Sequence, residues 1–344
     1  MSLLAAALVL GPQPPQANIV SLLPAKVVVG LRPVAFAPSP TGSTVAVSME
    51  DGTVRIIDAK TRQTVANLAT HPQPAYAIAW SPDGTFVATG DETARIWVEN
   101  VRTKTKLREY RTHTRGIQKL SFNSTNNAIV STGKDDVIKV YNILDPAPKE
   151  KISILGSGAN FYGAVYSPIQ SSTFATGILG PGGRIYDTVS GKVLGFLTDP
   201  TSQGVFDVAY NANGTRVATA GREGNVVLWD PVKKSRLGAM KGHKDFVMYV
   251  AFSPNGKLVA SGSTDATVRL WNLYTMQTVA EIPGQSYVGS PVAFTADGSN
   301  LLTVNDAGYL QINPLSPAQT GAAPVKAPAK PPKKATKKAT KKKR

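Results

Sequence analysis

The sequence predicts an all-β protein in which seven similar strand units close into one ring. Three observations predict it. Short alternating or apolar runs recur along the chain between turns rich in Gly, Pro, Asn and Asp, and no stretch carries the 3.6-residue apolar period of a long helix. The units return at near-constant spacing. The last residues of their third strands read Ile57, Trp97, Tyr141, Tyr186, Trp229, Trp271 and Ile312, with gaps of 40, 44, 45, 43, 42 and 41 residues, a period of radially repeated sheets. Finally, the seventh unit has no outer strand of its own, while a lone strand precedes the first.

The sixth unit is the clearest, GHKDFVMYVAFSPNGKLVASGSTDATVRLWN over residues 242–272. Val247 to Phe252 forms its first strand. Ser253-Pro-Asn-Gly256 turns the chain into the second, because Gly accepts the positive φ of a tight turn. Ser263-Thr-Asp265-Ala then leads into the third strand, Thr267 to Trp271. The other units follow in order. Unit one reads PVAFAPSPTGSTVAVSMEDGTVRIID, and unit two is AYAIAWSPDGTFVATGDETARIWVE with a shortened second hairpin. Unit three is GIQKLSFNSTNNAIVSTGKDDVIKVYN. Unit four, YGAVYSPIQSSTFATGILGPGGRIYD, is the most irregular, with Pro and Gly where the others carry a polar turn. Unit five is VFDVAYNANGTRVATAGREGNVVLWD, and unit seven ends TVNDAGYLQIN without an aromatic residue at its close.

The flanks complete the organisation. Residues 1–17 hold an apolar run of about ten residues, too short to span a bilayer, and pass into PQPPQ. This leader reads as disordered or packed on the ring, or as a weak targeting signal. NIVSLLP, residues 18–24, has the offset of an outer strand. Residues 18–23 are expected to complete the last blade, because an open ring would leave unpaired strand edges. The ring is therefore expected over residues 18–315. Residues 316–344, rich in Lys, Ala and Pro and lacking aromatics, cannot bury enough surface to offset ordering and read as a disordered tail.

The repeat endings DATVRLWN, GNVVLWD and TARIWVE, with Gly-His opening the sixth unit, resemble the WD40-repeat family. The resemblance covers nearly the whole of residues 18–315 and implies a single seven-bladed WD40 β-propeller. It implies a mostly non-catalytic platform for assembly, binding protein or peptide partners. It also implies a hydrogen-bonded tetrad in which Trp, Ser, His and Asp pin the outer loop to the inner hairpin. His243, Ser261, Asp265 and Trp271 match it in unit six. Unit three offers His113, Ser131, Asp135 and Tyr141. Unit two offers His71, Thr89, Asp91 and Trp97. A buried imidazole and carboxylate must pair to avoid a cost of several kcal/mol. These sets repeat at blade spacing and no GxSxG elbow accompanies them, so a structural role is expected in place of hydrolysis. Units one, four, five and seven lack the histidine and are expected to rely on packing.

A second set is positional. The residue five beyond each tetrad histidine begins an inner strand at the channel mouth. The series is Arg32, Tyr76, Gln118, Tyr162, Phe206, Met248 and Ser290. In the family this rim commonly grips peptides, and aromatic side chains are strong anchors at protein interfaces. The alternative is that they pack against neighbouring loops.

Composition narrows the chemistry. The 344 residues contain no cysteine and three histidines, so disulfides and thiolate chemistry are excluded, and this is as compatible with an intracellular protein as with many secreted ones. No phosphate loop, HExxH or paired-Cys motif is present, so no cofactor and no metal are expected. The net charge is +16, and ten of the positive charges lie in the last 19 residues: Lys326, Lys330, Lys333, Lys334, Lys337, Lys338, Lys341, Lys342, Lys343 and Arg344. The tail resembles those of linker histones, which neutralise phosphates without reading bases. The favoured reading is a scaffold whose ring binds proteins and whose tail contacts DNA or RNA non-specifically, nuclear or nucleolar, with a cytoplasmic setting also open. The alternative is a cytoskeletal or trafficking adaptor whose tail binds acidic tubulin tails or anionic lipid.

Overall fold

The computed structural model describes residues 26–27, 32–147, 149–156, 158, 160–180 and 182–315. Its strands form seven four-stranded antiparallel sheets. Six are meanders of consecutive strands. Blade 1 is Pro33–Pro38, Thr44–Met49, Val54–Asp58 and Thr64–Asn67. Blade 6 is Val247–Phe252, Leu258–Ser263, Val268–Asn272 and Thr278–Ile282. The inner strands of blades 2 to 5 begin at Ala77, Ile117, Phe161 and Val205.

Blade 7 is composite. Ala293–Phe294, Asn300–Val304 and Leu310–Pro314 are joined by an outer strand from the start of the chain, Lys26–Val27. Lys26 pairs with Ile312 and Val27 with Gln311. The expected closure across the termini is thus made, by residues 26–27. Residues 18–23, the 1–17 leader and the 316–344 tail lie outside the described residues.

Turn chemistry explains the hairpins. Gly256 takes φ +66° and donates its N–H to Ser253 O at 2.9 Å, as Ser253-Pro-Asn-Gly predicts. Seven hydrophobic clusters fill the seven gaps between neighbouring blades. The seam between blades 7 and 1 is packed like the others, with Phe36, Val45, Val47 and Ile57 against Leu302, Val304, Leu310 and Ile312. Ring closure therefore rests on a continuous apolar interface as well as on the short outer strand. In blade 4, which lacks the histidine, Phe174 stacks on Tyr186 with ring centroids 5.3 Å apart.

Candidate functional site: polar tetrads and the channel mouth

The blade 6 network is complete. Trp271 Nε1 donates to Ser261 Oγ at 2.7 Å, Ser261 Oγ lies 2.8 Å from His243 Nε2, and His243 Nδ1 lies 2.9 Å from Asp265 Oδ2. Burial lowers the His243 pKa despite the Asp265 carboxylate, so the ring is neutral at pH 7. A neutral imidazole has one donor and one acceptor. The chain of protons therefore runs from indole to hydroxyl, hydroxyl to Nε2 and Nδ1–H to carboxylate. Burial alone would raise the Asp265 pKa, but the Lys244 N–H, Thr267 and His243 hold it at about 2.

Blade 3 repeats the core of this arrangement. His113 Nε2 lies 2.7 Å from Ser131 Oγ and Nδ1 lies 2.9 Å from Asp135 Oδ1. The Tyr141 hydroxyl extends the network outward to Thr112 Oγ1 at 2.7 Å. In blade 5, without a histidine, Trp229 Nε1 still donates to Thr219 Oγ1 at 2.9 Å.

Blade 2 corrects the sequence alignment. His71 reaches Thr89 at 2.7 Å and Asp91 at 3.0 Å, but Trp97 is not the fourth member. Its Nε1 is buried with no hydrogen-bond partner, and its ring stacks on His71 at 3.9 Å. Trp97 pairs with Thr89, as Arg269 pairs with Ser261, while Glu99 pairs with Val87, as Trp271 pairs with Val259. Glu99 therefore holds the tryptophan position. A slip of two residues leaves a side chain on the same face, so an apolar pattern cannot detect it. Glu99 is 1% exposed. Its Oε1 accepts the Ala69 N–H at 2.9 Å, its Oε2 has no partner, and burial raises its pKa. In blade 7 the same position belongs to Asn313, not Ile312: Asn313 Nδ2 donates to Thr303 Oγ1 at 3.1 Å. With Glu99 and Asn313 in place the seven positions are more evenly spaced.

The channel mouth is built by a repeated irregularity. In blades 1, 3, 4, 5 and 6 the register of the inner strand shifts near its start, at 33/35, 117/119, 161/164, 205/207 and 247/249. Such a bulge re-aims one side chain. The bulge positions hold Gln118, Tyr162, Phe206 and Met248, and these line one cavity of about 410 Å³ together with Tyr76. Tyr76 is 47% exposed. Tyr162 and Phe206 meet edge to face at 5.3 Å, and Phe206 meets Phe246 at 5.7 Å, under the Arg222 guanidinium.

Two rim expectations are corrected. In blade 1 the bulge position and the cavity lining belong to Val34, two residues after Arg32. Arg32 is exposed on the preceding loop, where its side chain lies near Gly308. Ser290 is fully buried, and its Oγ accepts the Val304 N–H at 2.8 Å instead of facing the mouth. Sequence reasoning also missed a charge pair deeper in the channel. Lys119 Nζ lies 2.9 Å from Asp207 Oδ1, and Asp207 Oδ2 accepts the Val250 N–H at 3.2 Å. The single-residue offset from Gln118 and Phe206 was the available signal.

Among the described residues no cluster of three or more His, Cys, Asp or Glu is placed to hold a metal, and no helix is long and apolar enough to cross a membrane. The fold and the tetrads define a seven-bladed propeller of WD40 type. Four stretches, residues 62–98, 104–142, 191–230 and 234–272, match the family described as WD domain, G-beta repeat. Each begins just before a blade's outer strand and ends in the third strand of the next, so the sequence repeat straddles two blades.

The chain is 29% identical over 219 residues to the WD repeat-containing protein srw1 of Schizosaccharomyces pombe, covering 61% of this chain and 37% of srw1. It is 27% identical over 189 residues to the Intraflagellar transport protein 80 homolog of Mus musculus, covering 52% of this chain and 22% of that protein. Similarity to the COMPASS component SWD3 of Saccharomyces cerevisiae is 25% over 215 residues, 58% of this chain and 65% of SWD3. The chain thus matches less than two thirds of the length of each.

Proposed function

We propose that the protein holds a peptide segment of a partner at the channel mouth and anchors that partner to nucleic acid through its basic tail. The observation that carries the first half is the aromatic arc. Tyr76, Tyr162 and Phe206 share one cavity with Met248 and Gln118; Gln118, Tyr162, Phe206 and Met248 stand on inner strands, and Tyr76 directly precedes one. Rigid aromatic groups around a concave site bind at small entropic cost. The second half rests on the ten positive charges among residues 326–344 and on relatives whose names include a COMPASS component and a meiotic recombination protein. A nuclear or nucleolar location follows from that reading.

The test is affinity capture with mass spectrometry, comparing the wild-type chain with the Tyr76→Ala, Tyr162→Ala, Phe206→Ala triple variant. The variant should fold and lose the main partner. Unchanged recovery would move the binding surface to the side or underside of the ring. A trafficking role is the second reading, favoured by the similarity to the Intraflagellar transport protein 80 homolog. A tagged chain that concentrates on microtubules or vesicles, and leaves them when the ten tail charges are replaced by Gln, would support it against the nuclear reading.

A further inference from the structure

The underside of the ring carries charge in a different way from its mouth. Inner strands start at the mouth, so in a four-stranded meander the turns joining first to second and third to fourth strands gather at the opposite end. In blades 1 and 2 the third-to-fourth turns present Lys60, Arg62, Arg102 and Lys104. The turns of blades 3, 4 and 5 add Lys149 and Lys151, Lys192, and Lys233. All eight are exposed, and none forms an ion pair with a carboxylate of the described residues. The corresponding turn of blade 6, residues 273–277, has no charged residue. The basic turns therefore form a crescent over five consecutive blades.

Several acids at this end cap their own turns, although Asp83 and Asp297, on the first-to-second turns of blades 2 and 7, are exposed. Asp58 accepts the N–H groups of Lys60 and Thr61 at 2.9 and 2.8 Å. Asp187 accepts those of Val189 and Ser190 at 3.1 and 2.7 Å, and Asp230 those of Val232 and Lys233 at 3.0 and 2.9 Å. Glu150 is paired with Lys139 at 3.0 Å. The carboxylates cap the turns, and the ammonium and guanidinium groups are left outermost. At the mouth, by contrast, Lys134 and Lys119 are paired with Glu92 and Asp207.

Where the chain leaves the ring is a separate observation. Leu310–Pro314 is a third strand and so runs toward the underside. The 29 residues after Leu315, with their ten positive charges, therefore start on the same side as the crescent.

We propose that the crescent is a second polyanion-binding face, which takes the phosphate backbone of duplex nucleic acid together with the tail. The choice of nucleic acid rests on the reading of the tail given above. Positive groups on rigid turns of successive blades suit a long, regular polyanion that meets several at once. The basic turns contain no aromatic residue to stack on unpaired bases, which favours a duplex over a single strand.

The experiment uses the full chain, a 25-base-pair DNA duplex and fluorescence anisotropy across a salt series. The ring variant replaces Lys60, Arg62, Arg102, Lys104, Lys192 and Lys233 with Gln. The tail variant replaces its ten charges with Gln, and a mouth control carries Arg115→Gln and Lys244→Gln. The ring variant should weaken binding at least about tenfold and reduce the log K–log salt slope by about 3, near 0.9 for each phosphate no longer neutralised. The mouth control should match the wild type. If the ring variant binds as the wild type while the tail variant loses affinity, the crescent is overturned and the tail reading stands. If the tail variant is unchanged, the tail reading falls and the crescent is judged on the ring variant alone. Polyglutamate displacing the duplex at equal charge would overturn the choice of partner. Should the sixfold variant fail to fold, Arg102→Gln with Lys104→Gln should still lower the slope by about 1 to 2, and an unchanged slope would count against the crescent.

Discussion

Lys119 of blade 3 reaches past blade 4 to Asp207 of blade 5, with Nζ 2.9 Å from Oδ1. Gly163 occupies the intervening position of blade 4, and a Cβ there would stand 3.0 Å from Asp207 Cα and Oδ1. The absence of a side chain at Gly163 opens the path. Three consecutive blades are thereby tied inside the channel, and the pair sits beside the aromatic arc of the mouth.

Gly163→Ala should destabilise the ring by about 1–3 kcal/mol, since the new methyl overpacks against Asp207 and its backbone. Equilibrium denaturant unfolding would show it as a lower midpoint at unchanged slope. A stability equal to wild type would mean that blade 4 yields freely at this point.

Asp265→Ala should cost roughly 2–4 kcal/mol, because His243 remains buried without its acceptor and the Lys244 and Thr267 donors lose theirs. Serine at 261 and tryptophan at 271 stay in place, so a loss under about 0.5 kcal/mol would mean that the carboxylate contributes nothing beyond its solvated state.

Acid should unfold the ring in two stages. The His113 and His243 pKa values are lowered by burial, so the unfolded chain binds their protons more readily. Their contribution is present above the unfolded value of about 6.5 and is lost as pH falls through the folded value. The depressed Asp265 pKa acts in the same direction at lower pH: its stabilisation is full above about pH 4 and is lost toward about pH 2. Thermal midpoints between pH 8 and 3 would measure both stages, and a midpoint independent of pH from 7 to 5 would contradict the first.

Glu99→Gln should have the opposite sign. The folded pKa of Glu99 is raised by burial, so the charged form opposes folding above that pKa. The amide keeps the acceptor for Ala69 N–H and removes the charge. The variant should gain about 1 kcal/mol at pH 8, and the gain should vanish near pH 4. Loss of stability at pH 8 would mean that Glu99 is held by its cross-strand neighbour Lys106.

Phosphorylation of Thr336 and Thr340, which lie among the densest tail charges, should weaken duplex binding. Each phosphate adds about −1.5 to −2 charges. With six to eight phosphate contacts from the tail, the tail's share of the log K–log salt slope on duplex DNA should lie near −5 to −7. A doubly phosphorylated chain with unchanged slope would place the contact elsewhere.

Residue pattern alone carries the all-β class, the seven units, the SPNG-type hairpins and two tetrads with their histidine, hydroxyl and carboxylate members. Those features are local: turn residues, strand alternation and a 42-residue period are written in neighbouring positions. It also indicated that the ring closes across the termini, because a unit short of one strand needs one from elsewhere. The third tetrad was misread at Trp97 because a slip of two residues keeps a side chain on its face, and only cross-strand register separates Trp97 from Glu99. Arg32 and Ser290 were misplaced for a related reason: the bulge selecting the mouth-facing residue in blade 1 and the fold of the 285–290 loop are set by pairing, not composition. The Lys119–Asp207 pair joins residues 88 positions apart. Its existence depends on the curvature of the ring and the gap at Gly163, so it was decided only when the seven blades packed against one another.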